Sequence, residues 1–129
     1  AFVRNKDCIG GRRPQCRDCQ KPTRTLFYKR HREKILEKQR ETDRDIRRKV
    51  VDFYSKGENK CSCCGEIEVK FLSIDHIRGG GNKHKKEIKK TGSSFMRWLL
   101  KNRFPVGYQV LCHNCNLSKG FYGKCPHQN

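Results

Sequence analysis

The feature that most constrains this chain is a set of three C-x-x-C pairs in a sequence with little apolar material. The pairs are Cys16/Cys19, Cys61/Cys64 and Cys112/Cys115. Only 33% of the 129 residues are hydrophobic, and a small chain of that composition buries too little apolar surface to be stable through its core alone. Cross-links between the cysteines are therefore expected to stabilise the fold.

Metal is a better cross-link here than disulfides. The chain has nine cysteines, an odd number, whereas disulfide frameworks use even numbers in secreted chains. The C-x-x-C spacing turns two thiolates toward one tetrahedral zinc. No secretory signal is visible, and the longest apolar stretches, such as 98–100, are too short to cross a membrane. The sequence predicts an intracellular, reducing compartment, no secretion and no membrane partner.

The second and third pairs are expected to share one structural zinc. Cys64 and Cys112 are separated by 47 residues, and a shared metal would close this long loop. The adjacent Cys63 is an alternative ligand in place of Cys61 or Cys64.

Two further cysteine groups are less defined. Cys16 and Cys19, with Cys8, are a possible second zinc site that lacks a fourth ligand. The segment Cys125-Pro126-His127 either closes the C-terminal tail or donates a ligand.

The distribution of apolar residues predicts two parts. Residues 1–56 form a basic arm, in which a long helix is expected over Lys21–Lys60, starting near Pro22 and stopping at Gly57. That helix is either solvated or lies on nucleic acid. It could also pair with the same helix of a second chain, so a homodimer is one of the alternatives.

Residues 57–129 are expected to form the folded domain. A strand is predicted over Val69–Ile74, a loop over Arg78–Asn82, a helix over Ser94–Arg103 and a second strand over Tyr108–Leu111. The fold class is thus a small α+β zinc-stapled domain with a basic, mostly helical N-terminal extension.

The charge indicates a polyanionic partner. The chain has 31 Lys and Arg against 13 Asp and Glu, a formal net charge of +18. Such an excess favours binding to DNA or RNA through the phosphate backbone. Charge alone does not separate a nuclease from an RNA-embedded protein such as a ribosomal component.

A recognisable pattern lies within and just after the loop that the zinc would close. It reads C-x-x-C-G, then D-H-I at 75–77, then L-C-x-x-C-N-x-x-K-G at 111–120, and it includes the stretches IDHIRGGG and FPVGYQVLCHNCNLSKG. It resembles the HNH nucleases, specifically the zinc-containing kind typified by phage recombination endonuclease VII. The resemblance covers residues 50–127. The middle Asn of many HNH motifs falls at Gly107 in this chain.

The resemblance implies a ββα-metal finger that hydrolyses DNA phosphodiester bonds. It implies that His76 is the general base and that Asp75 and Asn116 hold a catalytic Mg²⁺ or Mn²⁺. These residue types suit the chemistry, because imidazole titrates near neutral pH and hard cations prefer oxygen ligands. A phage-infected or bacterial cytoplasm is the implied setting. The residues expected to contact nucleic acid are Arg78, Lys83, His84, Lys85, Lys86 and Lys119.

One alternative from a different class stays open. The chain could be a non-catalytic, zinc-stapled subunit that binds RNA or DNA in a larger assembly such as a ribosome. The coexistence of Asp75, His76 and Asn116 favours the nuclease, because a pure scaffold would need only its cysteines.

Overall fold

The computed structural model describes residues 2–4 and 12–128, so Cys8 lies outside the described residues. The chain divides into two compact units, 1–41 and 42–129. The sequence placed the domain boundary after residue 56, at the end of the helical segment. The structure groups residues 42–56 with the second unit because Val50 and Val51 are fully buried in its core.

The first unit contains a hairpin and most of a long helix. Strand β1 (Phe2–Arg4) pairs antiparallel with β2 (Arg12–Cys16), and helix α1 (Arg17–Tyr54) follows directly and continues into the second unit. The helix starts earlier than the predicted start near Pro22, holds Pro22 inside it and ends at Tyr54, before the predicted stop at Gly57. Its start coincides with a cap, since the sulfur of Cys16 accepts a hydrogen bond from the backbone N–H of Cys19 at 3.3 Å.

The second unit is a small α+β fold. After α1 come a 3₁₀ turn (Val69–Phe71), β3 (Leu72–His76), α2 (Gly81–Ile88), α3 (Gly92–Lys101), β4 (Tyr108–Cys112), α4 (His113–Tyr122) and a final 3₁₀ turn (Pro126–Gln128). Strands β3 and β4 pair antiparallel, with Asp75 opposite Gln109 and His76 opposite Tyr108. Among the described residues, no helix combines the length and apolar character that crossing a membrane requires.

The predicted elements of this unit are partly confirmed. The helix expected over Ser94–Arg103 and the strand expected over Tyr108–Leu111 correspond to α3 and β4. The strand expected over Val69–Ile74 is displaced to Leu72–His76, because the Glu68 carboxylate accepts from the Lys70 N–H and holds the preceding residues in a 3₁₀ turn. The predicted loop over Arg78–Asn82 is shorter, since α2 already starts at Gly81.

The core of the second unit packs around the β3–β4 sheet. It is small, and one third of its buried residues are cysteines, in keeping with the low hydrophobic content of the chain. Its buried residues are Val50, Val51, Cys61, Leu72, Ile74, Phe95, Leu99, Val110, Leu111, Cys112, Cys115 and Cys125.

One side chain fastens the end of α1 to the start of β3. The Arg47 guanidinium donates to the backbone carbonyls of Val69, Lys70 and Leu72. These carbonyls belong to residues just before β3 or to its first residue. The Arg47 guanidinium therefore supplies hydrogen-bond donors that the β3–β4 pairing does not. Tyr54 adds a second link, donating to the carbonyl of Pro105 at 2.7 Å.

Replacing Arg47 by methionine is expected to lower the free energy of unfolding by about 1–3 kcal/mol, because it leaves part-buried carbonyls without their donor while retaining the apolar stem. Arg48→Met is the matched control. Arg48 is exposed and its ion pair with Asp45 spans 3.9 Å, so its loss is expected to change stability by less than about 0.5 kcal/mol. Denaturant unfolding followed by the fluorescence of Trp98 measures both. Equal effects of the two substitutions would contradict the role assigned to Arg47.

Candidate functional site

Four cysteines converge at one end of the β3–β4 sheet. The sulfurs of Cys61, Cys64, Cys112 and Cys115 all lie within 4.8 Å of one another. The Cys64 and Cys112 sulfurs are 3.6 Å apart. A tetrahedral zinc with bonds of ~2.3 Å separates neighbouring sulfurs by about 3.8 Å, so this spacing fits a shared metal. The four predicted ligands are thus brought together, and Cys63 is not among them.

The local backbone explains how the two pairs reach one point. Cys112 ends β4 and caps α4, its sulfur accepting from the N–H of Cys115 at 3.4 Å. Cys61 lies in a turn closed by the Gly65 N–H, which donates to the Cys61 carbonyl at 3.0 Å. The adjacent Ser62 N–H donates to the carbonyl of Val110 at 2.9 Å, which holds the turn against β4.

The thiols of this cluster differ in pKa. Burial raises the pKa of the Cys61 thiol, but the backbone N–H groups of Cys64, Cys112 and Cys63 stabilise its thiolate and bring that pKa down to about 7. Burial together with the neighbouring sulfurs raises the pKa of Cys115 above that of an ordinary thiol. Four thiols packed this closely do not all ionise unaided, and a divalent cation is the group that would allow it.

The first cysteine pair has fewer companions. The Cys16 sulfur lies 3.1 Å from that of Cys19, at the junction of β2 and α1. In the part of the chain that the structure describes, no further Cys, His, Asp or Glu joins them closely enough to share a metal. The possible second zinc at Cys16 and Cys19 therefore stays a prediction.

Two of the three residues expected to act in catalysis, Asp75 and His76, lie at the end of β3. Asp75 and His76 are neighbours on a strand, so their side chains leave opposite faces of the sheet. The Asp75 carboxylate accepts through Oδ2 from the Gln109 amide at 2.8 Å and from the Lys119 ammonium at 2.5 Å. Lys119 also donates to the carbonyls of His76 and Ile77, at 2.9 and 3.0 Å.

His76 lies in an aromatic pocket on the other face. Its ring packs edge-on to Tyr108 with centroids 4.7 Å apart and stacks on Phe95 at 5.8 Å. His76 Nε2 lies 3.0 Å from Nδ1 of His84, so one ring donates to the other. This contact holds the His76 ring in a fixed orientation.

Gly81 lies against the other ring nitrogen of His76. A Cβ at this position would come within 2.9 Å of His76 Nδ1 and 3.3 Å of its Cε1. Any larger residue would therefore displace the imidazole, which explains the glycine at the start of α2. Sequence reasoning identified the GGG run as a loop but not this contact.

Asn116 lies on α4, one residue after Cys115. Its amide donates to the Ser73 hydroxyl at 3.0 Å and not to Asp75. Asp75, His76, Asn116 and Lys119 nevertheless line one open cavity of about 550 Å³, which the glycine loop 79–81 borders. The cavity therefore combines residues from both faces of the sheet at the point where β3 ends.

The predicted nucleic-acid contacts fall into two sets. Arg78, Lys85 and Lys119 line the cavity. His84 contacts His76 instead, and Lys83 and Lys86 are exposed on α2 outside the cavity lining. Sequence reasoning missed Gln109, although the strand register that ends at Cys112 places it opposite Asp75.

Burial of the His76 ring, assisted by the nearby His84, lowers the pKa of His76 below the ordinary 6.5. We expect NMR titration to place its midpoint below pH 6.5, and His84→Ala to raise it partway, since the burial remains. Because the unfolded chain binds this proton at higher pH, acidification through pH 6.5 lowers the free energy of unfolding. The spectrum of His76→Gln assigns the resonance, and a midpoint at or above 6.5 would contradict the expectation.

Comparison with known proteins adds no assignment. A scan against protein-family models, a search of the curated proteins and a search of the solved structures each find no match to this chain. Fold and side chains define it as a small α+β protein with a cysteine cluster that could hold a metal ion, consistent with zinc.

Proposed function

We propose that this chain is a metal-dependent endonuclease of the HNH type that hydrolyses DNA phosphodiester bonds. In this proposal β3, β4 and α4 form the ββα-metal finger, and zinc bound by Cys61, Cys64, Cys112 and Cys115 holds its parts together. The observation that carries the proposal is the cavity at the end of β3, where an imidazole, a carboxylate and an amide meet beside basic side chains.

His76 is assigned as the general base. Its lowered pKa keeps the ring neutral at pH 7, as a base must be before it accepts a proton. With Nε2 protonated and donating to His84 Nδ1, the free electron pair is on Nδ1, the atom beside Gly81. The proton of the attacking water passes to Nδ1, the water oxygen bonds to phosphorus, and the bond from phosphorus to the leaving oxygen breaks, the leaving oxygen taking a proton from a second water.

Asp75 and Asn116 are assigned to a catalytic Mg²⁺ or Mn²⁺. Both neighbours of the Asp75 carboxylate contact Oδ2, so Oδ1 is the atom we assign to the cation. The Asn116 side-chain oxygen would be the second protein ligand, because its amide nitrogen already donates to Ser73. When bound, the cation would neutralise charge on the phosphate and the leaving oxygen.

The basic side chains are assigned to the DNA backbone. Arg78, Lys85 and Lys119 border the cavity, where a scissile phosphate would lie. Lys83 and Lys86 extend the positive surface along α2. Binding through so many phosphate contacts would weaken steeply as salt increases.

The test is conversion of supercoiled plasmid to nicked or linear DNA by the purified full chain. Cleavage is expected with Mg²⁺ or Mn²⁺ and is expected to stop when the buffer contains neither cation. A plasmid left intact across both metals would overturn the proposal, provided that the protein binds the DNA and contains its zinc.

One observation favours the non-catalytic alternative. Lys119 and Gln109 already occupy Oδ2 of Asp75, and the Lys119–Asp75 ion pair is largely buried, with 21% and 11% of the two side chains exposed. A carboxylate paired in this way can serve to hold α4 against β3 in an RNA- or DNA-binding subunit. Tight, salt-sensitive binding of RNA without any cleavage of DNA would select this alternative.

A further inference from the structure

A second group of metal-ligating side chains adjoins the four-cysteine cluster. The ligand atoms of Cys63, Cys115, Cys125 and His127 all lie within 4.8 Å of one another. Cys115 belongs to both groups. The proposed function uses only the first group, so Cys63, Cys125 and His127 have no role in it.

The chain end folds back so that these residues meet. Gly123, with φ of 77°, ends α4 in the left-handed conformation, and the following residues form a 3₁₀ turn in which the Gln128 N–H donates to the Cys125 carbonyl at 2.9 Å. The fold thereby buries Cys125 to 2% exposure, although both flanking residues, Lys124 and Pro126, are exposed. A single side chain turned inward from a surface tail indicates a specific contact there.

The contact is made by sulfur and nitrogen atoms. His127 Nδ1 lies 3.4 Å from the Cys115 sulfur and 3.4 Å from the Cys125 sulfur. Thiols are weak hydrogen-bonding groups, so they give little reason for an imidazole to lie between two of them. A tetrahedral zinc with bonds of ~2.3 Å to sulfur and ~2.0 Å to nitrogen separates these atoms by about 3.5 Å, close to the observed spacing.

We propose that Cys63, Cys115, Cys125 and His127 bind a second zinc, and that the Cys115 thiolate bridges the two metals. Seven side chains then complete two four-coordinate sites, one with four sulfurs and one with three sulfurs and a nitrogen. Cys63 is not a substitute for Cys61 or Cys64 but the ligand of a different metal. The Cys125-Pro126-His127 segment donates ligands and does not merely close the tail.

Cys115 is suited to the bridge. Its sulfur is fully buried, and its neighbours include Cys112 and Cys64 from the first group and Cys63 and Cys125 from the second. A thiolate carries enough charge and lone pairs to bind two cations, whereas the imidazole nitrogen binds one. The six thiolates exceed the charge of two divalent cations by about two units, which the strongly basic chain would offset.

Metal content is the first test, and it does not depend on cleavage activity. The full chain is prepared with Cys8, Cys16 and Cys19 changed to serine, so that only the second unit can contribute. We expect two zinc ions per chain by elemental analysis, and one after His127→Ala. His113→Ala is the matched control, since His113 is exposed beside the cluster but belongs to neither group. Because His127 is also exposed, its removal leaves no hole in the core.

The bridge has its own test. Reconstitution with isotopically enriched cadmium is expected to give two NMR resonances of equal intensity that split each other through the shared sulfur. One resonance, or two without mutual splitting, would overturn the bridge. A single metal in the parent, or unchanged metal content in His127→Ala, would overturn the second site. If His127→Ala loses all its metal and the parent shows the mutual splitting, the result supports two coupled sites. If the parent shows no splitting, the same result contradicts the second site.

Oxidation is the remaining competing explanation for the proximity of Cys63 and Cys125. A disulfide between them would remove two thiols from the count obtained under denaturing conditions without reductant. The metal site predicts that every cysteine of the second unit reacts as a free thiol once zinc is chelated, and a shortfall of two would overturn it.

Discussion

His76→Gln is expected to slow plasmid cleavage by about 10²–10⁴-fold, the usual contribution of a positioned general base. Glutamine retains a polar side chain between His84 and the cavity, but it cannot accept a proton near neutral pH. Zinc content and the unfolding curve are expected to change little, because His76 is only half-buried. Single-turnover rates of supercoiled plasmid loss at saturating protein measure the effect.

Matched substitutions separate this role from general damage. His113→Gln replaces an exposed histidine on α4 that does not line the cavity, and it is expected to cut at the parent rate. Asn116→Ala is expected to weaken activation by Mg²⁺, whereas Asn114→Ala, two residues earlier and exposed, is not. If His76→Gln cleaves as fast as His113→Gln, His76 is not the base.

Removal of zinc is expected to unfold the second unit. Structural zinc contributes about 10–16 kcal/mol to the folding free energy of small zinc-binding peptides at pH 7. This is at least as much as the net stability of a typical domain, about 5–15 kcal/mol. The core of this unit is small and contains four of the cysteines, so it cannot replace that contribution. A strong chelator should therefore abolish the cooperative unfolding transition reported by Trp98, the single tryptophan of the chain.

The control for zinc removal uses two cysteines of different surroundings. Cys61→Ser is expected to reproduce the effect of the chelator, because Cys61 is buried among the four sulfurs. Cys19→Ser, at an exposed cysteine of the first unit, is expected to leave the Trp98 transition unchanged. Affinity for zinc should also fall as pH decreases below about 7, where protons compete for the Cys61 thiolate. A chelated chain that retains the parent transition would show that metal does not stabilise this fold.

Local patterns predicted some parts of this molecule well. The C-x-x-C spacing is a short-range signal, and the four cysteines of the second and third pairs do converge. Helix α3 was predictable because Phe95 and Leu99 repeat at helical spacing and are both buried. The start of β3 was not, because a short apolar run such as 69–74 fits several backbone conformations and a side-chain cap decided among them.

The contacts that define the site depend on residues far apart in sequence. Lys119 meets Asp75 across 44 positions, and no local pattern indicates that pairing. The contact between His84 and His76 depends on where α2 starts, which the sequence did not locate. The sequence indicates Cys125 and His127 as candidate ligands, but the left-handed turn at Gly123 sets the direction in which they point.

Helix α4 would couple metal loading of the cysteine cluster to the proposed catalytic cavity. Within ten residues it carries Cys115 in its first turn, then Asn116, then Lys119 one turn later. A short helix is stiff along its axis, so a displacement at the cysteine cluster would also move Asn116 and Lys119. Partly loaded protein would then behave as a mixture of active and inactive molecules, with no population of intermediate activity.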